Sequence, residues 1–68
     1  MEANIRNYVK QNFKGSTSND VLNSINEAVS LKDEISLPGL GVLFEIFWEN
    51  CDNDIKNNII NTISNKLK

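Results

Sequence analysis

Few side chains in this sequence could do chemistry, and their types narrow the choices at once. No histidine is present, so the commonest general base is missing and the single thiol, Cys51, has no imidazole to take its proton. Cys51 reads as a small buried or half-buried core residue. Glu45 and Glu49 stand one helical turn apart, a spacing that could divide acid and base work or hold a cation. A chain this short has no room for the deep cleft that drives two carboxyl groups to different proton affinities, so a solvated helix face is expected. Asp52-Asn53-Asp54 lacks the alternating oxygen ligands, central Gly and closing Glu of a calcium loop. One Cys without His cannot cage zinc. Pro38-Gly39-Leu40-Gly41 ahead of a helix could offer amides to an anion, but no Gly-Lys-Ser/Thr ending follows. A tight turn in which Gly41 permits close packing is the expectation. The inventory therefore predicts no catalytic residue, no metal, no cofactor and no small-molecule ligand.

Two features remain that could contact a partner. Arg6, Lys10 and Lys14 recur at four-residue steps and should form a cationic stripe able to touch phosphates. Leu40, Leu43, Phe44, Phe47 and Trp48 form an apolar stripe wide for so small a chain. Core filling explains part of it, and a self-association or partner surface would explain the remainder.

The elements that position these residues follow from periodicity. Ile5, Tyr8, Val9, Asn12 and Phe13 fall on one face, predicting a helix from Glu2 to Phe13. Glu2 and Lys10 suit its dipole, and Gly15 is placed to end it in a left-handed conformation. Ser16-Thr17-Ser18-Asn19-Asp20 is rich in capping residues, and Val21, Leu22, Ile25, Ala28 and Val29 continue in helical rhythm, predicting a second helix over 18–30. Residues 31–38 have no period. Pro38 should hold Leu37 extended and open the next helix. The stretch from Leu40 to Trp48 is the ambiguous one. Its aromatic and β-branched content would suit a strand, giving an α+β fold with residues 40–48 extended. As a helix over 39–50 it gathers Leu40, Leu43, Phe44, Phe47, Trp48 and Cys51 on one side, with Glu45, Glu49 and Asp52 opposite, and that reading is preferred. Asp52-Asn53-Asp54 caps a final helix carrying Ile55, Ile59, Ile60, Ile63 and Leu67, with Lys66 and Lys68 at its end. The predicted fold is all-α, one small domain of about four short helices.

Composition agrees. The chain has 68 residues, 40% hydrophobic and 24% charged, which suits a folded domain rather than a disordered one. So short a chain exposes much of its surface, and without a disulfide or metal it must rely on helix packing or self-association. No run reaches the roughly 20 apolar residues of a membrane span, and Met1-Glu2-Ala3-Asn4 does not open a signal peptide, so residence in the compartment of synthesis is expected. A net charge of −2 disfavours nucleic acid, whose nonspecific binding depends on cations displacing phosphate counterions.

The run Leu37-Pro38-Gly39-Leu40-Gly41-Val42-Leu43-Phe44-Glu45-Ile46-Phe47-Trp48, with Asn4-Ile5-Arg6 near the start, resembles the I-type minor small acid-soluble spore proteins of endospore-forming Firmicutes. The likeness extends to total length, the short first helix before a polar stretch, and the charged last helix. It implies synthesis in the forespore and storage in the spore core. It implies no DNA function, because the DNA-coating segments of the major α/β-type spore proteins have no counterpart here.

Three readings follow. The preferred one is a non-enzymatic spore-core protein that packs through its helices, as a homodimer through the Leu40 to Trp48 helix. The second is a DNA-associated spore protein using Arg6, Lys10 and Lys14. The third is a small helical regulator that binds a protein partner through the aromatic helix.

Overall fold

The computed structural model describes residues 4–68. Four helices follow in order: α1 (Ile5–Phe13), α2 (Ser18–Leu31), α3 (Leu37–Asn50) and α4 (Asn53–Leu67). No strand occurs among the described residues. The all-α architecture holds, and residues 40–48 lie in α3, which removes the strand alternative.

Local chemistry explains where each helix starts. Asn4 accepts a bond from the Asn7 amide at 3.1 Å, so its side chain caps α1. The helix consequently begins at Ile5, three residues later than the Glu2 start expected from periodicity; Glu2 itself lies outside the described residues. An N-cap keeps non-helical dihedrals while satisfying an orphan amide. Thr17 and Asp20 form a reciprocal capping box at α2: the Asp20 amide donates to Thr17 Oγ1 at 3.1 Å and the Thr17 amide to Asp20 Oδ2 at 3.3 Å. Asp52 caps α4 by accepting from the Ile55 amide at 2.9 Å.

The helix ends are equally specific. After α1, Lys14 at φ −61°, ψ 125° and Gly15 at φ 79° make a turn closed by the Ser16 amide on the Phe13 carbonyl at 3.0 Å. These are the dihedrals of a type II turn, whose third position requires positive φ and favours Gly. Lys32 closes α2 in the left-handed region, at φ 52° and ψ 34°. Asn50 Nδ2 adds a bond to the Ile46 carbonyl at 2.7 Å, and the Cys51 thiol donates at 3.6 Å to the Trp48 carbonyl, one of those that the end of α3 leaves open. Cys51 is half-buried.

One boundary differs from expectation. Leu37 is the first helical residue of α3 instead of an extended one, which moves the start two positions ahead of Gly39. The residue before proline disfavours the α region but is not barred from it. Here the Ser36 amide is anchored on Asp33 Oδ1 at 2.9 Å, Ser36 already has helical dihedrals, and the Leu40 amide reaches the Ser36 carbonyl at 3.1 Å. Pro38 then sits in the first turn, where a missing amide hydrogen leaves nothing unpaired.

Packing is uneven. Helix α3 lies chiefly against α1 and more lightly against α2, while α4 meets the other helices only sparsely. Among the described residues the buried hydrophobics are Val9 of α1, 7% exposed, and Val42 of α3, 6% exposed. Val42 lies outside the apolar stripe predicted for α3. Of that stripe, Phe44 and Phe47 are the residues left open, 44% and 42% exposed. With α4 held away, α1 and α2 together do not cover so broad a face.

Candidate interaction surface

The aromatic stripe forms a continuous surface. Phe44 lies between two rings of its own helix, 6.3 Å from Phe47 with planes at 57° and 5.6 Å from Trp48 with planes at 31°. Steps of three and four residues put these side chains side by side on a helix, at separations where tilted rings attract. The face deepens into a groove of about 330 Å³ lined by Ile25 of α2 and by Leu40, Leu43, Phe44 and Phe47 of α3. Leu40, Leu43 and Trp48 are half-buried. Four of the five stripe residues thus share one apolar wall. Trp48 stands beyond it, facing α4, where Lys56 Nζ lies 5.2 Å from the indole ring. Ile25 completes the groove and was legible only as a member of the apolar face of α2.

The charged residues have a different arrangement. Arg6 meets Glu45 through two bonds, Nε to Oε1 and Nη2 to Oε2, each 2.7 Å. This fork-to-fork geometry is the strongest form of ion pair available to two side chains. The guanidinium holds the Glu45 carboxyl below the usual carboxylate range, first by its hydrogen bond, against partial burial, with Lys10 adding to the attraction. Glu45 in turn raises the affinity of Arg6 for its proton, and Glu49 contributes to the same field. The expected solvated acid face is therefore partly engaged. The cationic stripe is divided as well: Arg6 is committed to Glu45, Lys10 is exposed in the last turn of α1, and Lys14 lies past the helix in the turn before Ser16.

Beside this pair, Ile5, Arg6, Pro38, Gly41, Val42 and Glu45 border a shallow depression between α1 and α3. Among the described residues no three His, Cys, Asp or Glu side chains gather where they could hold a metal ion. None of the described helices is long and apolar enough to cross a membrane. The glycines ahead of α3 prove to be inside its first two turns, and a Cβ built on either Gly39 or Gly41 meets no atom within 4 Å. The expectation that Gly41 allows close packing within the chain is thus corrected.

Fold and surface together define a class: a small all-α protein whose most developed surface feature is an apolar helix face, half open to solvent. Comparison with known proteins gives the family. The family model described as small, acid-soluble spore protein I matches residues 3–67. A protein named small, acid-soluble spore protein I from Halalkalibacterium halodurans is 38% identical over 68 residues, covering all of both chains. Proteins of the same name from Bacillus cereus and Bacillus anthracis are 38% identical over 68 residues, covering all of this chain and 99% of theirs. The chain belongs to the small, acid-soluble spore protein I family. No solved structure matches it.

Proposed function

We propose that this protein is a non-enzymatic component of the spore core, made in the forespore and stored there, which associates through its helices as a homodimer with the α3 face at the contact. Its family supports the setting. The observation that carries the molecular part is the half-open wall of Leu40, Leu43, Phe44 and Phe47. Clustered aromatic and aliphatic side chains of this kind are where association energy concentrates, and leaving them in water is unfavourable. The side-chain inventory supports a role without chemistry, since the best-formed polar contact in the molecule, Arg6 with Glu45, is a saturated ion pair instead of a reactive one.

Two measurements test the reading. The protein should appear in acid extracts of dormant spores broken after coat removal and be absent from vegetative cells of the same strain. Size-exclusion chromatography with light scattering should give twice the chain mass at micromolar concentrations. Detection in vegetative cells removes the first part, and a strict monomer at high micromolar concentration removes the second.

A further inference from the structure

The last helix carries apolar surface that its own chain does not cover. On α4 Ile60, Ile63 and Leu67 are exposed, Leu67 to 80%. Their steps of three and four residues place them along one stripe, the pattern by which a helix seats in an apolar groove. The link to α3 explains why the stripe stays open: Cys51 at φ −103°, ψ 159° and Asp52 at φ −84°, ψ 175° are both extended. Two such residues carry α4 off the end of α3, and the Lys56 contact with Trp48 engages only its first turns. On α2 and α3 of the same molecule the groove of Ile25, Leu40, Leu43, Phe44 and Phe47 is open to solvent.

Size measures agree that the single chain is unfinished. A folded chain of 7.7 kDa ordinarily exposes about 4,300 Å², whereas this one exposes 5939 Å², an excess of more than about 1,000 Å². Its radius of gyration is 13.4 Å, against about 11 Å for a compact chain of this length. The excess area is as large as the roughly 800 Å² that each partner contributes to a standard interface. One apolar stripe and one apolar groove on each chain are what a two-fold exchange requires, since each copy then supplies to its partner what it receives.

We infer that the homodimer is reciprocal, with the Ile60, Ile63 and Leu67 stripe of α4 in each copy lying in the α2/α3 groove of the other. The inference rests on the homodimer reading above and replaces a bare α3-to-α3 contact with a stated occupant. It also gives Ile60 and Ile63 of α4 a use that the fold of one chain does not.

Mixing isotope-labelled and unlabelled wild-type protein tests the arrangement without any substitution. Intermolecular nuclear Overhauser effects from the Ile63 and Leu67 methyl groups to the Phe44 and Phe47 rings are expected. Effects confined to α3 residues of both copies overturn the exchange and leave the dimer standing, whereas a wild-type chain that remains monomeric at high micromolar concentration overturns both. Charge pairing gives a second arm. Ile63→Lys and Phe47→Glu, each checked for retained helicity, should separately weaken dimerisation about tenfold or more, and an equimolar mixture should recover a heterodimer. If Ile63→Lys dimerises as well as the wild type, the exchange is wrong.

Discussion

Arg6 and Glu45 stand 39 residues apart in the chain and meet through two parallel bonds of 2.7 Å, which tie the first turn of α1 to the middle of α3. The pair flanks the seam where α1 meets α3, and both side chains remain substantially open to water. Exposed ion pairs contribute little on average, so this one acts chiefly as a register pin for the two helices and makes the seam sensitive to acid and to salt.

The sign of the acid effect follows from Glu45. Arg6 lowers its proton affinity in the folded chain relative to the unfolded one, so the stabilisation is complete above the ordinary glutamate range, near about 4.3. It is lost as pH falls through the lower folded value. Thermal melts of wild type and Glu45→Gln from pH 7 to pH 2.5 should therefore converge at the acid end, with the wild type more stable at neutral pH. Added salt should narrow the neutral gap. A gap that does not change with pH would show that Glu45 acts by packing alone.

The capping box at α2 makes a sharper prediction, because only one of two adjacent hydroxyls takes part. Thr17 Oγ1 accepts from the Asp20 amide, whereas Ser18 is already the first helical residue. Thr17→Ala should lower stability by about 1 kcal/mol, or about 4–8 °C in melting temperature for a chain of this size. Ser18→Ala should change it by less than about 0.5 kcal/mol. Equal losses at both positions in chemical denaturation would refute the cap assignment.

These local devices were legible because they are local. Capping residues before α2 and α4, the Gly15 stop and the apolar rhythm of each helix are all written within a few residues of where they act, and the structure uses them as the spacing implies. The helical state of residues 40–48 was also readable, from the stripe of large side chains with Glu45 and Glu49 opposite. Pairing between distant elements was not. Arg6 looked like one member of a free cationic row and Glu45 like one of a solvated acid face, since no spacing within either helix encodes a partner 39 residues away. The stripe of α3 likewise identified apolar residues without saying which neighbour covers them. Val42, on the side of α3 opposite that stripe, is buried because α1 lies there, while Phe44 and Phe47 remain half open.

Burial of Val42 predicts where stability concentrates. Removing its two terminal methyl groups in Val42→Ala should lower stability by about 1.5–2 kcal/mol, from lost transfer energy and incomplete relaxation of the space left behind. Ile35, in the loop before α3 and 88% exposed, provides the comparison. Ile35→Ala should stay within about 0.5 kcal/mol of wild type. Urea unfolding at equal protein concentration measures both, and a larger loss at Ile35 would place that loop against something the single chain does not contain.

Gly41 offers the most informative substitution in α3. It lies inside the helix, on the exposed rim of the depression bordered by Ile5, Arg6 and Pro38, and a Cβ there meets no atom within 4 Å. Its dihedrals are helical, so no left-handed conformation requires glycine. Alanine at such a position restricts the unfolded chain and improves helix propensity, each with no steric cost. If the single chain decides the matter, Gly41→Ala should stabilise the protein by about 0.5–1 kcal/mol. A loss of stability instead, larger at high protein concentration than at low, would mean that another molecule approaches the backbone at Gly41 too closely for a methyl group. Melting Gly41→Ala and wild type across a hundredfold dilution separates these outcomes, because propensity acts equally at every concentration and a contact between copies does not.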